Sequence, residues 1–129
     1  MNAMTIGKFA AAGGVGVETI RFYQRRGLLA EPDRDGGIRR YDADDLHRLR
    51  FVRQAQTAGF TLDEIGQLLA LDATDDRATA RTMAEARIVA LGQKIAELEA
   101  AKSALARLAH ECASGANGPC PIILAFSPA

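Results

Sequence analysis

The chain has 129 residues, with 16 Lys and Arg balanced by 16 Asp and Glu, two Cys, no Trp and 5% aromatic residues. That length suits one domain, or one small domain with an extension, and excludes a multidomain enzyme. Hydrophobic residues at 48% and charged residues at 25% are an ordinary globular mix, which excludes a disordered tail, a collagen-like repeat and a disulfide-stapled miniprotein.

The neutral total hides a division. Residues 1–53 carry ten bases against seven acids, whereas residues 54–129 carry six bases against nine acids. A basic head is followed by an acidic remainder. No apolar run reaches the ~20 residues that cross a bilayer, and Met1-Asn2-Ala3-Met4 lacks the charged and apolar regions of a secretory signal. The expected location is the cytoplasm, where Cys112 and Cys120 stay reduced and a thiolate site is favoured over a disulfide.

Thr5 caps a predicted helix over Ile6–Ala12, ended by Gly13-Gly14. Val17–Arg26 is the second, stopped by Gly27, with Arg25 and Arg26 at the negative end of its dipole. Two short helices joined by a glycine-bearing turn make a helix-turn-helix candidate. Leu28-Leu29-Ala30 and Ile38-Arg39-Arg40-Tyr41 read as two strands of a small hairpin, or wing, around the turn-rich residues 31–37. Asp42 with Asp45 opens a third helix that runs to Gly59, and the capping box Thr61-Leu62-Asp63-Glu64 opens a fourth that reaches about Ala70.

After the polar bridge Leu71–Asp76, a helix is predicted from about Ala78 to Glu111. Ile88, Leu91, Ile95, Leu98, Lys102, Leu105, Ala109 and Cys112 recur at alternating three- and four-residue steps, the seam of a coiled coil. Such a helix, roughly 50 Å long at 1.5 Å per residue, needs a partner helix, and a dimer supplies one. The expected fold is mainly α, with a winged helix-turn-helix head (residues 1–71), a linker (72–78), a coiled-coil dimerisation helix (79–111) and a loop with tail (112–129).

On the second helix, Glu18, Arg21, Phe22 and Arg25 fall on neighbouring positions, and Thr19 pairs with Tyr23. Arginine mixed with aromatic and hydroxyl groups suits a nucleic-acid groove, although Phe22 and Ile20 packing inward beneath a solvated basic face is the plainer reading. Arg39, Arg40 and Tyr41 place a second basic element beside it. No Ser/His/Asp set and no phosphate loop occur, so no enzyme is expected.

The run Thr5-Ile6-Gly7, Glu18 to Leu29, Gly37-Ile38-Arg39-Arg40-Tyr41, Phe51-Val52-Arg53 and Gly59 to Ile65 closely resembles the MerR family of transcription regulators, and its mercury-resistance members most. The resemblance implies a homodimer joined by a long antiparallel coiled coil, bound to double-stranded promoter DNA with RNA polymerase. It implies that a ligand changes the angle between the heads, so that the DNA is bent and untwisted. By position, Thr19, Arg21, Phe22 and Tyr23 match the recognition helix, and Arg39 and Tyr41 match the wing.

Cys112 and Cys120 enclose seven residues. Their spacing alone leaves open a core residue with a loop filler, a disulfide, a redox pair or a soft-metal site. His110, two residues from Cys112, does not share its helix face and is expected to be solvated. The resemblance points to metal, since sensors of the family carry two loop cysteines here, followed by Pro and aliphatic residues as in Cys120-Pro121-Ile122-Ile123. Family sensors of mercury, zinc, cadmium and lead add a third cysteine from the other subunit, at the position of Arg77. Sensors of copper, silver and gold lack it. The implied effector is a thiophilic ion, mercury(II) or copper(I), silver(I) or gold(I), with no organic cofactor.

Overall fold

Side-chain caps set where the helices of the head begin. The computed structural model describes residues 3–115 and 118–126. Residues 116–117 and 127–129, part of the expected loop and tail, lie outside the described residues, as do residues 1–2 of the expected head. Helices α1 (Ile6–Gly13), α2 (Val17–Arg25), α3 (Ala43–Thr57), α4 (Leu62–Asp72), α5 (Arg77–Ser114) and α6 (Pro121–Phe126) account for most of the chain, and strands β1 (Arg34–Asp35) and β2 (Ile38–Arg39) lie between α2 and α3. Thr5 Oγ1 accepts from the Lys8 N–H at the start of α1. Asp42–Asp45 and Thr61–Glu64 form complete reciprocal capping boxes on α3 and α4, satisfying two orphan donors each. Gly16 caps α2 with no side-chain bond.

The wing is shorter than expected and has a different first strand. Asp35 pairs with Ile38 and Arg34 with Arg39, antiparallel, around Gly36-Gly37 with φ of 62° and 87°. Two consecutive positive φ values define the tight turn whose twist matches a hairpin. Leu28 and Leu29, expected in a strand, are buried in the core instead. The cause is the end of α2. With Gly27 at φ 76°, the Leu28 N–H turns back to the Tyr23 carbonyl at 2.9 Å and the Gly27 N–H to Gln24, a Schellman closure that drives the following apolar residue inward. Tyr41, expected at the end of the second strand, makes an isolated antiparallel bridge with Met4.

Phe9, Ile20, Tyr23, Leu28, Tyr41, Leu49, Val52 and Ile65 form the core of the head, with α3 packed on α1 and α4. Each large side chain buried there stabilises the fold by about 1.5–3 kcal/mol. Two arginines of the basic half are structural, since Arg48 Nε donates to the Leu28 carbonyl at 2.7 Å and Arg53 Nη1 to the Gly13 carbonyl at 3.0 Å.

The chain divides into two compact units, Met1–Arg87 and Ile88–Ala129. Helix α5 crosses the division and starts one residue before the expected range, where Asp76 accepts from both the backbone N–H and the hydroxyl of Thr79. In the second unit no described residue of α5 is buried, and the seam positions Ile88, Ile95 and Leu98 are 67%, 55% and 57% exposed. Helix α6 was not expected from the sequence. Pro121 at its first position has its φ pre-set and lacks an N–H that would be orphaned there.

Candidate DNA interface and thiol site

Helix α2 and the wing frame a groove of ≈ 570 Å³, lined by Arg21, Gln24 and Arg25 from the helix and by Gly37 and Arg39 from the wing, with Glu31 between them. Arg21 and Arg25 are exposed, one turn apart, on the face opposite the buried Ile20. Arg21 lies 3.2 Å from Glu18 in an open ion pair, which water and salt screen. Phe22 is 39% exposed, so the reading in which it packs inward is corrected, while Ile20 does pack inward. The Arg26 guanidinium lies 5.9 Å from the Phe22 ring centre and reaches Asp63 at 2.9 Å. Thr19 is half-buried on the same helix.

Two expected interface residues are core residues. Tyr23 is buried, its hydroxyl donating to Gln56 Oε1, and burial raises its pKa against a smaller opposing effect of the Arg53 charge. Tyr41 is 1% exposed, stacked on Phe9, and its hydroxyl accepts from Gln24 Nε2 at 2.9 Å. Both expose little surface, Tyr23 being held in the core and Tyr41 reaching the groove lining only from beneath. Sequence reasoning left Gln24 and Glu31 out of the site. Gln24 also donates to the Ala30 carbonyl and so braces α2 against the approach to the wing. Glu31 sits in a stretch dense in turn formers, where its carboxylate gave no local signal.

In the second unit, Cys112 comes from the last turns of α5 and Cys120 from the residue before α6, and their sulfurs are 3.0 Å apart, both half-buried and unbridged. The Cys112 S–H and, more weakly, the backbone N–H groups of Ile123 and Ile122 hold the Cys120 thiol below its ordinary pKa. Its hydrogen bond to Cys120 raises Cys112 in turn. The pair is therefore asymmetric, with Cys120 the more readily ionised of the two thiols. Among the described residues no group of three or more His, Cys, Asp and Glu could hold a metal ion, and His110 is exposed. Among the same residues no helix is long and apolar enough to cross a membrane.

A helix-turn-helix with a two-residue-turn wing, followed by a long helix with an uncovered apolar seam, defines a DNA-binding regulatory protein rather than an enzyme. Residues 4–72 match the family described as MerR HTH family regulatory protein and residues 46–108 that described as MerR, DNA binding. The chain belongs to the MerR family. It is 48% identical over 125 residues to the mercuric resistance operon regulatory protein of Serratia marcescens, covering 95% of this chain and 87% of that one. Among solved structures it is similar to the transcription regulator PbrR691 of Ralstonia metallidurans CH34 in complex with lead(II), with a TM-score of 0.71 and 34% identity over 96% of this chain and 99% of that one. It is also similar to HiNmlR, a MerR family regulator lacking the sensor domain, bound to promoter DNA, with a TM-score of 0.67 and 27% identity over 82% and 86% of the two chains.

Proposed function

We propose that this protein is a cytoplasmic, homodimeric, metal-responsive transcription regulator that grips promoter DNA with Thr19, Arg21, Phe22 and Arg39 and senses a thiophilic ion through Cys112 and Cys120. The observation that carries the sensing role is the 3.0 Å approach of two unbridged thiols across a loop. The mercuric resistance relative and the lead(II) complex support a metal effector, and the promoter complex of HiNmlR supports the DNA role. Dimerisation rests on the exposed seam of α5, which a second copy would cover. In the division of the chain, residues 1–71 act as the head, 72–78 as the linker, 79–111 as the dimerisation helix and 112–129 as the sensing loop and tail.

The effector is mercury(II) or a monovalent copper, silver or gold ion. Cys112 at the end of α5 and Cys120 before α6 would hold it as thiolate ligands, and the ion would supply the affinity for sulfur that draws these two segments together. A monovalent ion with two thiolates leaves one negative charge, which Arg77 of a second copy, standing where relatives place a third cysteine, would offset. A divalent ion leaves none. The consequence of binding is a changed angle between the two heads, which untwists the promoter spacer for a bound RNA polymerase.

The test is competition of copper(I), silver(I), mercury(II), zinc(II) and cadmium(II) for the purified protein in excess small thiol, beside Cys112→Ser and Cys120→Ser. Each variant is expected to bind DNA and to lose metal-dependent transcription; induction that survives both changes refutes the metal role. The 3.0 Å approach also favours a second reading, in which an oxidant closes a Cys112–Cys120 disulfide. Oxidant-dependent transcription without metal would select it.

A further inference from the structure

Arg39 and Glu31 form the tightest ion pair on the groove face, with Arg39 Nη2 2.7 Å from Glu31 Oε1. Arg39 is one-third exposed and Glu31 just over half, so the pair stands at the surface where a DNA backbone would lie. Nη2 carries the contact to Glu31, while Arg39 Nε is buried with no hydrogen-bond partner among the described residues. A carboxylate and a phosphate are rival acceptors for the same planar fork. Glu31 lines the groove together with Arg21, Arg25 and Arg39, and it is the acid among those four charges.

We propose that Glu31 acts as a built-in phosphate mimic that occupies Arg39 in the free protein and must give it up, or share it, when the DNA backbone arrives. This rests on the reading of α2 and the wing as the DNA interface. Glu31 aims the Arg39 side chain and at the same time cancels its charge, so it lowers affinity for every duplex alike. A regulator held below its maximal grip exchanges on its site more readily, since affinity changes within one interface fall mostly on the off-rate. No base edge is involved, because the rivalry is with a phosphate.

Binding of the reduced full-length protein to its operator and to a random duplex, followed by fluorescence anisotropy over a salt series, tests the role. Glu31→Gln keeps the side-chain size and is expected to tighten both complexes by about two- to fivefold, the scale of one surface charge interaction. The slope of log K against log salt distinguishes the two modes: it stays unchanged where Glu31 gives Arg39 up to the DNA, and steepens by up to about 0.9 where Glu31 shares it in the complex. In the background of Arg39→Ala the same substitution should tighten binding clearly less than in the parent chain, leaving only the long-range repulsion of the lost acid. Equal or weaker binding by Glu31→Gln overturns the proposal, as does tightening confined to the operator. Arg21→Ala and Arg39→Ala are measured alongside. If neither weakens binding, the interface reading itself fails; if both weaken it while Glu31→Gln matches the parent chain, only the role of Glu31 fails.

Discussion

The rings of Phe9 on α1 and Tyr41 after the wing stack at 4.3 Å, with 10° between their planes. This contact ties the hairpin to the helix-turn-helix from inside the core, and Gln24 on α2 completes the tie by donating to the Tyr41 hydroxyl. Tyr41→Phe keeps the stack and loses that hydrogen bond, an expected cost of about 1 kcal/mol, with promoter affinity unchanged. Tyr41→Ala removes the ring and is expected to cost about 3–5 kcal/mol. Urea unfolding paired with gel-shift titration separates the two roles. A large affinity loss in Tyr41→Phe at full stability would return Tyr41 to the DNA surface.

Gly13, the last residue of α1, leaves room for Leu49 of α3. A Cβ added there would stand 2.2 Å from Leu49 Cδ2, and Leu49 is fully buried. Gly13→Ala is therefore expected to destabilise the head by about 1–3 kcal/mol through overpacking, despite the better helix propensity of alanine. Trimming the neighbour should relieve the clash, so the combined Gly13→Ala and Leu49→Ala protein is expected to unfold at a higher urea concentration than additivity predicts.

Sequence alone reveals the features that are local. Thr5, Asp42 and Thr61 act within three residues of themselves, so their caps and the helix starts they set are legible. The wing misleads because Leu28-Leu29 has the composition of a strand, whereas the Schellman turn at Gly27 commits those residues to the core and leaves β1 to Arg34–Asp35. Tyr23 and Tyr41 mislead for a longer-range reason. Their burial depends on partners 33 and 17 residues away, and helix periodicity does not say which face meets those partners. The approach of Cys112 to Cys120 across a glycine-bearing loop has no periodic signature, and only the resemblance pointed to it. Helix α6, at six residues, is too short for an apolar repeat to show.

The thiol pair predicts an asymmetric pH profile. Cys120 ionises more readily than Cys112, because its pKa is held below the ordinary value chiefly by the hydrogen bond from Cys112, and that bond raises Cys112. Because the thiolate is the nucleophile, alkylation of reduced, metal-free protein by iodoacetamide should occur first at Cys120. Its rate should reach half-maximum at a lower pH than for an unperturbed thiol. Cys112→Ala removes the largest cause, so the Cys120 midpoint should move to higher pH. The Ile122 and Ile123 N–H groups remain and keep it below the ordinary value. Peptide mapping of the alkylated protein reads both residues; earlier labelling of Cys112 would reverse the assignment.

The seam of α5 makes the last prediction. Between Leu98 and Leu105, both exposed in the single chain, Lys102 stands at a position that a coiled coil fills with apolar side chains. An ammonium there must find an acceptor or reach water, and only some pairings of two helices permit it. A polar residue at such a position selects register and orientation at a cost in stability. Lys102→Leu is therefore expected to tighten self-association, raising the urea midpoint with protein concentration held constant. It should also relax pairing, so that cysteine-scanning cross-links along α5 report parallel or shifted neighbours beside the antiparallel one. Leu98→Arg should do the reverse and give a monomer at micromolar concentration by sedimentation equilibrium. A dimer that withstands Leu98→Arg would place the association surface elsewhere than on this seam.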